Sequence, residues 1–301
     1  MPTVSIIIVC MNRPDNLRPC LDSIKLHTKA DYEVLVVAYR FSPDNLSAVQ
    51  ADYPWVTFIV NNALSGFSEN NNLALRRARG TYCFILNDDT ELPGPAIDKL
   101  LGDFGSLPSD AAIVAPKLLN ADGSLQLCGR PDYPAFKYVL QQWHLYSEPT
   151  DNGSGLFRTF NASGAAFLIK TSIFKELGWF DERYFFTPED IALTTLARRR
   201  GYSVWCDADA SVIHKWRTTA SPLAPAVRPC AIRGSLIFFA DGSPLRYFCL
   251  GLGVWAAEMA KRIKARFSGN KTDYITYKHN TRSIFTRLTP KEIFARYFNE
   301  I

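Results

Sequence analysis

The stretch Thr81-Tyr82-Cys83-Phe84-Ile85-Leu86-Asn87-Asp88-Asp89-Thr90 decides the fold. From Thr81 to Leu86 every side chain is β-branched, aromatic or apolar, as a strand covered on both faces requires, and the run breaks without a spacer into Asn87-Asp88-Asp89. A second run of the same kind, Val4-Ser5-Ile6-Ile7-Ile8-Val9, breaks into Cys10-Met11-Asn12-Arg13. Between the two, Glu33 to Val37 and Val56 to Val60 read as further buried strands. The intervening segments carry the helical period. Leu17, Cys20, Leu21 and Ile24 form an i, i+3, i+4, i+7 stripe behind Pro14, with Asn12 placed to cap it, and 69–79 reads as a helix stopping at Gly80. Strands alternating with helices imply an α/β fold: a mostly parallel central sheet flanked by helices, binding ligands outside the carboxyl ends of its strands.

The rest of the chain is less regular at first. Residues 116–160 hold a turn at Ala121-Asp122-Gly123-Ser124 and a loop at Asn152-Gly153-Ser154-Gly155. Ala165 to Ile169 reads as a strand, and Ser172 to Gly178 as a short helix. The aromatic segment 179–186 leads to Thr187-Pro188-Glu189-Asp190 and a helix reaching Arg200, closed by Gly201. Ser203 to Cys206 and Ala210 to Ile213 read as two short strands, the second ended by His214. Pro222, Pro225 and Pro229 read as a connector to a C-terminal extension over 221–301.

Composition excludes several classes. A chain of 301 residues, 47% apolar and 21% charged, buries a sizeable core. Its net charge of +5 is uneven: residues 244–301 carry +7 and the remainder −2. No nucleic-acid module accompanies that charge, so no nucleic-acid partner is expected. The seven cysteines form no C-x-x-C pair, which disfavours a zinc ribbon, a redox dithiol and a disulfide scaffold, and favours a reducing compartment. Met1-Pro2-Thr3 runs directly into a strand with no basic-then-apolar leader, and Tyr247 to Ala257 is too short to span a bilayer. No G-x-G-x-x-G follows a strand, and neither a P-loop nor a G-x-S-x-G elbow is present, which disfavours nicotinamide hydride transfer, P-loop phosphoryl transfer and α/β-hydrolase chemistry. Residues 245–267 are apolar first and basic after. That pattern suits a helix lying on an anionic membrane surface, and equally a helix packed on the body with a solvated basic face.

Four groups of residues can carry chemistry. Asp88 and Asp89, delivered rigidly by a strand, suit oxygen ligation of Mg²⁺ or Mn²⁺, although Asn-Asp-Asp is also favourable turn chemistry. Glu189 and Asp190 open a helix. Acids there complement the helix dipole, which is a complete structural explanation; against an apolar wall of Phe180, Tyr184, Phe185 and Phe186, one of them also suits a general base. His214 is a structural histidine, or completes a divalent site if the chain returns it to Asp89. Gly66 and Asn70-Asn71-Asn72 precede or open a helix and allow close approach of a phosphate.

Taken in order, Val4 to Arg13, Leu86-Asn87-Asp88-Asp89-Thr90, Ser163-Gly164-Ala165-Ala166, Gly178-Trp179-Phe180-Asp181-Glu182, Glu189-Asp190 and His214 resemble family 2 glycosyltransferases, in particular the rhamnosyltransferase-like branch, over residues 3–217. The resemblance implies a GT-A fold with a catalytic domain over 1–220, its donor-binding half about 1–120 and its acceptor-binding half about 121–220. It implies a nucleotide-diphosphate sugar donor, Mg²⁺ or Mn²⁺, and inversion at the anomeric carbon. By the same resemblance Asp89 binds the metal, Asp88 sits near the donor ribose, and Asn12 and Arg13 lie near the nucleotide; His214 is the candidate to complete the metal site, with Tyr39, Gly66 and Asn72 as further donor-side candidates. Asp190 is then the catalytic base and Glu189 shapes the site. The expected acceptor is a glycan, and a lipid-linked one if the basic-amphipathic stretch 244–267 holds the chain on the inner face of the cell membrane; the expected location is cytoplasmic, peripheral on that face. One position departs from the pattern. Ala38 stands where the family has an Asp that reads the nucleobase, leaving Tyr39 and Asp44 as candidates to replace it. That loss motivates an alternative, a non-catalytic nucleotide-sugar binder or scaffold. A nucleotidyltransferase is disfavoured because Cys10-Met11-Asn12-Arg13 contains no glycine.

Overall fold

The computed structural model describes residues 1–147, 149–150, 153–215 and 223–300. Among these, ten strands form one sheet: β1 (Val4–Met11), β2 (Tyr32–Tyr39), β3 (Thr57–Asn61), β4 (Tyr82–Asn87), β5 (Thr90–Glu91), β6 (Ala111–Leu119), β7 (Leu125–Leu127), β8 (Leu156–Thr159), β9 (Ala166–Lys170) and β10 (Ser203–His214). The order is β3-β2-β1-β4-β9-β6-β10-β5, with β7 on β6 and β8 on β10. The parallel arrangement read from the sequence holds for β3-β2-β1-β4 and again for β6 with β10. Between them β9 runs antiparallel to both β4 and β6, so the whole sheet is mixed.

Strand alternation sorts the core into two layers. Ile6 and Ile8 of β1 face one way, packing with Leu17, Leu21 and Ile24 of α1 (Pro14–His27), Val49 of α2 (Pro43–Asp52) and Ile97 and Leu100 of α4 (Ala96–Asp103). Ile7 faces the other way, with Leu75 of α3 (Phe67–Leu75), Phe174 of α6 (Thr171–Glu176) and Leu193 and Ala197 of α7 (Glu189–Arg199). A shorter helix, α5 (Ala135–Gln142), lies in the irregular middle.

Several local readings change. Asn12 does not cap α1. It adopts φ 49°, and its side-chain oxygen accepts hydrogen bonds from the Ser42 N–H and the Asn45 amide, tying the end of β1 to the start of α2. Gly80 does not end a helix, since α3 stops at Leu75. Its lack of a side chain serves a close approach instead: a Cβ there would lie 2.4 Å from the Ser5 nitrogen. The two short strands before His214 are one strand, β10, whose register slips between Asp207 and Ser211. Pro225 and Pro229 lie within α8 (Ala224–Ala240) rather than in a connector, while Pro222 and Asn152 fall outside the described residues.

The C-terminal helices α8, α9 (Pro244–Phe267), α10 (Lys271–Ser283) and α11 (Pro290–Phe298) pack on the body. Phe185 of the body shares one core with Ala226 and Cys230 of α8 and with Ile293, Phe294 and Tyr297 of α11. At Gly234 a Cβ would meet the Thr187 carbonyl at 2.4 Å, so α8 presses on the turn that opens α7. Helix α9 has two unlike faces. Gly251, Val254, Ala257 and Ala265 are buried, whereas Leu245, Phe248, Leu252, Trp255, Ile263 and Phe267 are exposed. No described helix is long and apolar enough to cross a membrane.

Candidate active site

The first corner of the site is built by strand ends. Pairing to β1 and β9 on either side fixes β4, and the turn after it is tied down by Thr90, whose hydroxyl donates to the Asn87 carbonyl at 2.7 Å. The chain then enters β5, which pairs antiparallel with the end of β10 so that Thr90 stands opposite His214. The Lys215 N–H donates to the Asp89 carbonyl at 2.9 Å. These main-chain links bring His214 Nε2 to 3.3 Å from Asp89 Oδ1. On the other side of the ring, Nδ1 lies 2.7 Å from Gln126 Oε1. Asp88 is nearly buried, and its Oδ2 has no hydrogen-bond partner. Burial pushes its carboxyl up to about 7. The neighbouring Asp89 charge adds to this, while the Cys10 thiol and the Arg13 charge oppose it.

The second corner is the start of α7. Asp190 Oδ2 accepts from Arg130 Nη1 at 3.0 Å and from the Gly164 N–H at 3.1 Å, and Oδ1 accepts from the Ile191 N–H at 2.7 Å. Glu189 is enclosed, and its Oε2 is buried without a partner. Burial raises its carboxyl well above the ordinary range and the Asp190 charge raises it further, against its own main-chain hydrogen bond and Arg130. No side-chain cap satisfies this helix start, which leaves the two acids there to complement the dipole.

The 163–165 link joins the corners. The Asn87 N–H donates to the Ala165 carbonyl at 2.9 Å, and β9 begins with Ala166 opposite Leu86. One residue earlier, Gly164 donates to Asp190, and a Cβ at Gly164 would stand 3.5 Å from Glu189 Oε1. Paired aspartates, acidic helix start and imidazole therefore share one wall of the sheet's carboxyl edge. Two hollows, one of about 520 Å³ around Trp179 and Arg183 and one of about 360 Å³ around Arg198 and Phe239, lie elsewhere, and none of these five residues lines either.

The remaining sequence candidates divide. Asn12, Arg13 and Tyr39 lie at the carboxyl edge, where Met11 pairs with Tyr39 and Tyr39 with Asn61. Tyr39 is buried, with its hydroxyl accepting from the Ser65 N–H at 3.3 Å. Ala38 is part of the core. Gly66 and Asn72 are committed to internal contacts. A Cβ on Gly66 would meet the Phe185 carbonyl at 2.1 Å, and the Asn72 amide is spent on the Phe180 main chain and on Glu182. The four aromatics do not form a single wall beside Glu189. Phe180 packs with Phe67, Phe167 and Phe174 in the sheet core; Tyr184 meets Phe238 of α8, and Phe185 and Phe186 meet Phe294 of α11. Arg130 and Gln126 were not legible, because each is a lone polar residue in the irregular middle with no motif around it.

Comparison with known proteins places this geometry. The family model "Glycosyl transferase family 2" matches residues 5–178. The chain is 26% identical over 234 residues to "O-antigen biosynthesis protein RfbC" of Myxococcus xanthus, covering 75% of this chain but only 18% of that protein. It is 24% identical over 280 residues to "N-acetylglucosaminyl-diphospho-decaprenol L-rhamnosyltransferase" of Mycobacterium tuberculosis, covering 82% of this chain and 89% of that one. Among solved structures, GalNAc-T7 with UDP, GalNAc and Mn²⁺ superposes with a TM-score of 0.57 at 16% identity, over 82% of this chain and 51% of that one. The mannosyltransferase PcManGT of Pyrobaculum calidifontis, in complex with GDP-Man and Mn²⁺, gives 0.56 at 14% identity, over 98% and 86%. The fold is thus the GT-A glycosyltransferase fold, and the family match runs over more than half of the sequence: the chain belongs to glycosyl transferase family 2.

Proposed function

We propose that this chain is a metal-dependent inverting glycosyltransferase that moves a hexose such as rhamnose from a nucleotide-diphosphate donor to a lipid-linked glycan acceptor in surface polysaccharide synthesis. The observation that carries the reading is the Asp89–His214 pair. Two cis ligands of an octahedral ion at about 2.1 Å stand about 3.0 Å apart, and Asp89 Oδ1 and His214 Nε2 are 3.3 Å apart. No group of three or more His, Cys, Asp or Glu side chains converges among the described residues. Asp89 and His214 would hold the ion with one carboxylate and one imidazole, a pair of donors that suits Mn²⁺ or Mg²⁺. When bound, such an ion supplies Lewis-acid stabilisation of the departing diphosphate.

The chain's own residues do the rest. Asp88, with Asn12, Arg13 and Tyr39 beside it on the carboxyl edge, holds the nucleoside end of the donor. Asp190 takes the proton of the acceptor hydroxyl as the new bond to the anomeric carbon forms and the bond to the diphosphate breaks. Arg130 and Gly164 hold that carboxylate in place. Burial and the neighbouring Asp190 charge favour the protonated form of Glu189 beside it. One observation favours a second reading, in which Glu189 is the base: its Oε2 is unpartnered whereas both Asp190 oxygens are committed. The non-catalytic alternative draws on Ala38, whose side chain offers no hydrogen bond to a base.

The exposed face of α9 supports membrane contact. Leu245, Phe248, Leu252, Trp255 and Ile263 recur at helical spacing along about 27 Å of helix, and Arg246, Lys264 and Arg266 stand exposed beside them. An anionic lipid surface matches that combination of apolar stripe and positive charge, which supports the reading of an enzyme working on the inner face of the membrane beside a lipid-linked acceptor. Replacing Phe248, Leu252 and Trp255 by Ser together should abolish co-sedimentation with anionic vesicles; unchanged sedimentation would reject the surface. The reaction itself is tested by calorimetry of a panel of nucleotide sugars with and without Mn²⁺. A donor bound only with the ion supports the reading, and no metal-dependent binder in the panel would overturn it.

A further inference from the structure

Gln126 lies on β7, outside every motif, yet it makes the shortest polar contact to the His214 ring. We infer that Gln126 is a positioning residue, the last member of a directional hydrogen-bond relay in the β6–β7 hairpin that fixes His214 as the Nδ1–H tautomer and turns its bare Nε2 toward Asp89.

The direction follows from the partners. The Gln126 Nε2 donates to the main-chain oxygen of His214 at 2.9 Å and to Asn120 Oδ1 at 2.9 Å. A carbonyl oxygen only accepts, so the nitrogen end of the amide is fixed there and Oε1 faces the ring. An amide oxygen also only accepts, so the ring nitrogen 2.7 Å away must carry the proton. The orientation of Asn120 is set in turn. Its Nδ2 donates to Ser124 Oγ at 3.0 Å, and that hydroxyl has its own proton on Asp122 Oδ1 at 2.6 Å. Asp122 also accepts the Ser124 N–H, at 2.9 Å. Starting from the Asp122 carboxylate, every donor and acceptor in Asp122–Ser124–Asn120–Gln126–His214 has one consistent direction. In a neutral ring the relay leaves the lone pair on Nε2, 3.4 Å from the donor Asn87 Nδ2 and 3.3 Å from Asp89 Oδ1. A lone pair facing a carboxylate oxygen is what a cation between them requires, and an outer hydrogen bond on the far nitrogen of a ligating histidine orients the ring and fixes its tautomer.

The inference rests on the proposed cation at Asp89 and His214, and the test separates the two. Long-range ¹H–¹⁵N NMR of the metal-free protein, with His214 assigned by its loss in His214→Gln, reads the tautomer without any ion. The wild type should show Nδ1–H. Gln126→Met, which keeps volume and removes both polar ends, should give a mixture or Nε2–H, and Mn²⁺ affinity by electron paramagnetic resonance should fall about 10- to 100-fold. Gln126→Glu keeps an acceptor for Nδ1–H and should restore both the tautomer and most of the affinity, a rescue that a purely structural glutamine would not show. An Nε2–H His214 in the wild type would overturn the relay whether or not the variants fold. So would an unchanged tautomer and Mn²⁺ affinity in Gln126→Met. If instead His214→Gln left Mn²⁺ affinity untouched, the cation assignment would fail while the tautomer result stood.

Discussion

The two acid pairs, Asp88–Asp89 and Glu189–Asp190, are built alike and placed differently. In each, one carboxyl is enclosed with an unpartnered oxygen and pushed up by burial, Asp88 to about 7 and Glu189 also upward. In each, the second carboxyl meets a basic side chain, Asp89 the His214 imidazole at 3.3 Å and Asp190 the Arg130 guanidinium at 3.0 Å. The basic partner makes the difference. An imidazole has a lone pair and can share a metal with a carboxylate, whereas a guanidinium has only donors and can only hold the carboxylate still. The mounting differs too. Asp89 hangs between two strand ends of one sheet, while Asp190 sits at a helix start backed by α8 through the Gly234–Thr187 contact. One pair is thus suited to binding an ion and the other to moving a proton.

Four substitutions sharpen or break that division. Asp89→Ala should abolish metal-dependent donor binding in calorimetry and lower turnover about 10³-fold or more, since Lewis-acid stabilisation is worth several kcal/mol. Asp190→Asn should bind donor normally while turnover falls about 10²-fold or more, read by steady-state kinetics. Arg130→Gln should cost about tenfold in kcat by letting the Asp190 carboxylate drift, and donor affinity should hold. Glu189→Gln should have the smallest kinetic effect, on the order of a few-fold, because the neutral amide mimics a protonated acid. A fall as large as that of Asp190→Asn would transfer the base role to Glu189.

Glu189 also gives a stability test in metal-free buffer. Its folded pKa lies above the ordinary 4.5, so the folded protein keeps a proton that the unfolded chain releases. The stabilisation is fully present below about pH 4.5 and is lost as pH rises through the folded value. Thermal melts of the wild type should therefore lose stability over that rise, and Glu189→Gln should flatten the loss. Identical slopes in the two proteins would place the titration elsewhere.

Much of this was legible because strand ends are legible. Leu86-Asn87-Asp88-Asp89 announces its own geometry: an apolar run fixes where the chain stops, and the acids follow at once. The C-terminus of β10 was equally readable at His214, although the bulge near Asp207 made one strand look like two. Helix entrances were less so, since Asn12 and Thr187 offer capping side chains that the structure does not use for capping. Arg130 and Gln126 left no trace, because what they do depends on partners 60 and 88 residues away in sequence. Asn72 and Gly66 misled for the converse reason: polarity and smallness before a helix suit a phosphate, but here they accommodate the Phe180–Phe185 segment. For α9 the packed reading describes the buried face, and the exposed apolar face is the one on which membrane contact is proposed.

The most direct measurement is Mn²⁺-dependent binding of a nucleotide sugar by calorimetry, run side by side on the wild type, Asp89→Ala and Asp190→Asn. The division of labour predicts metal-dependent binding in the wild type and in Asp190→Asn, and none in Asp89→Ala. Metal-dependent binding that survives in Asp89→Ala, or disappears in Asp190→Asn, would contradict it.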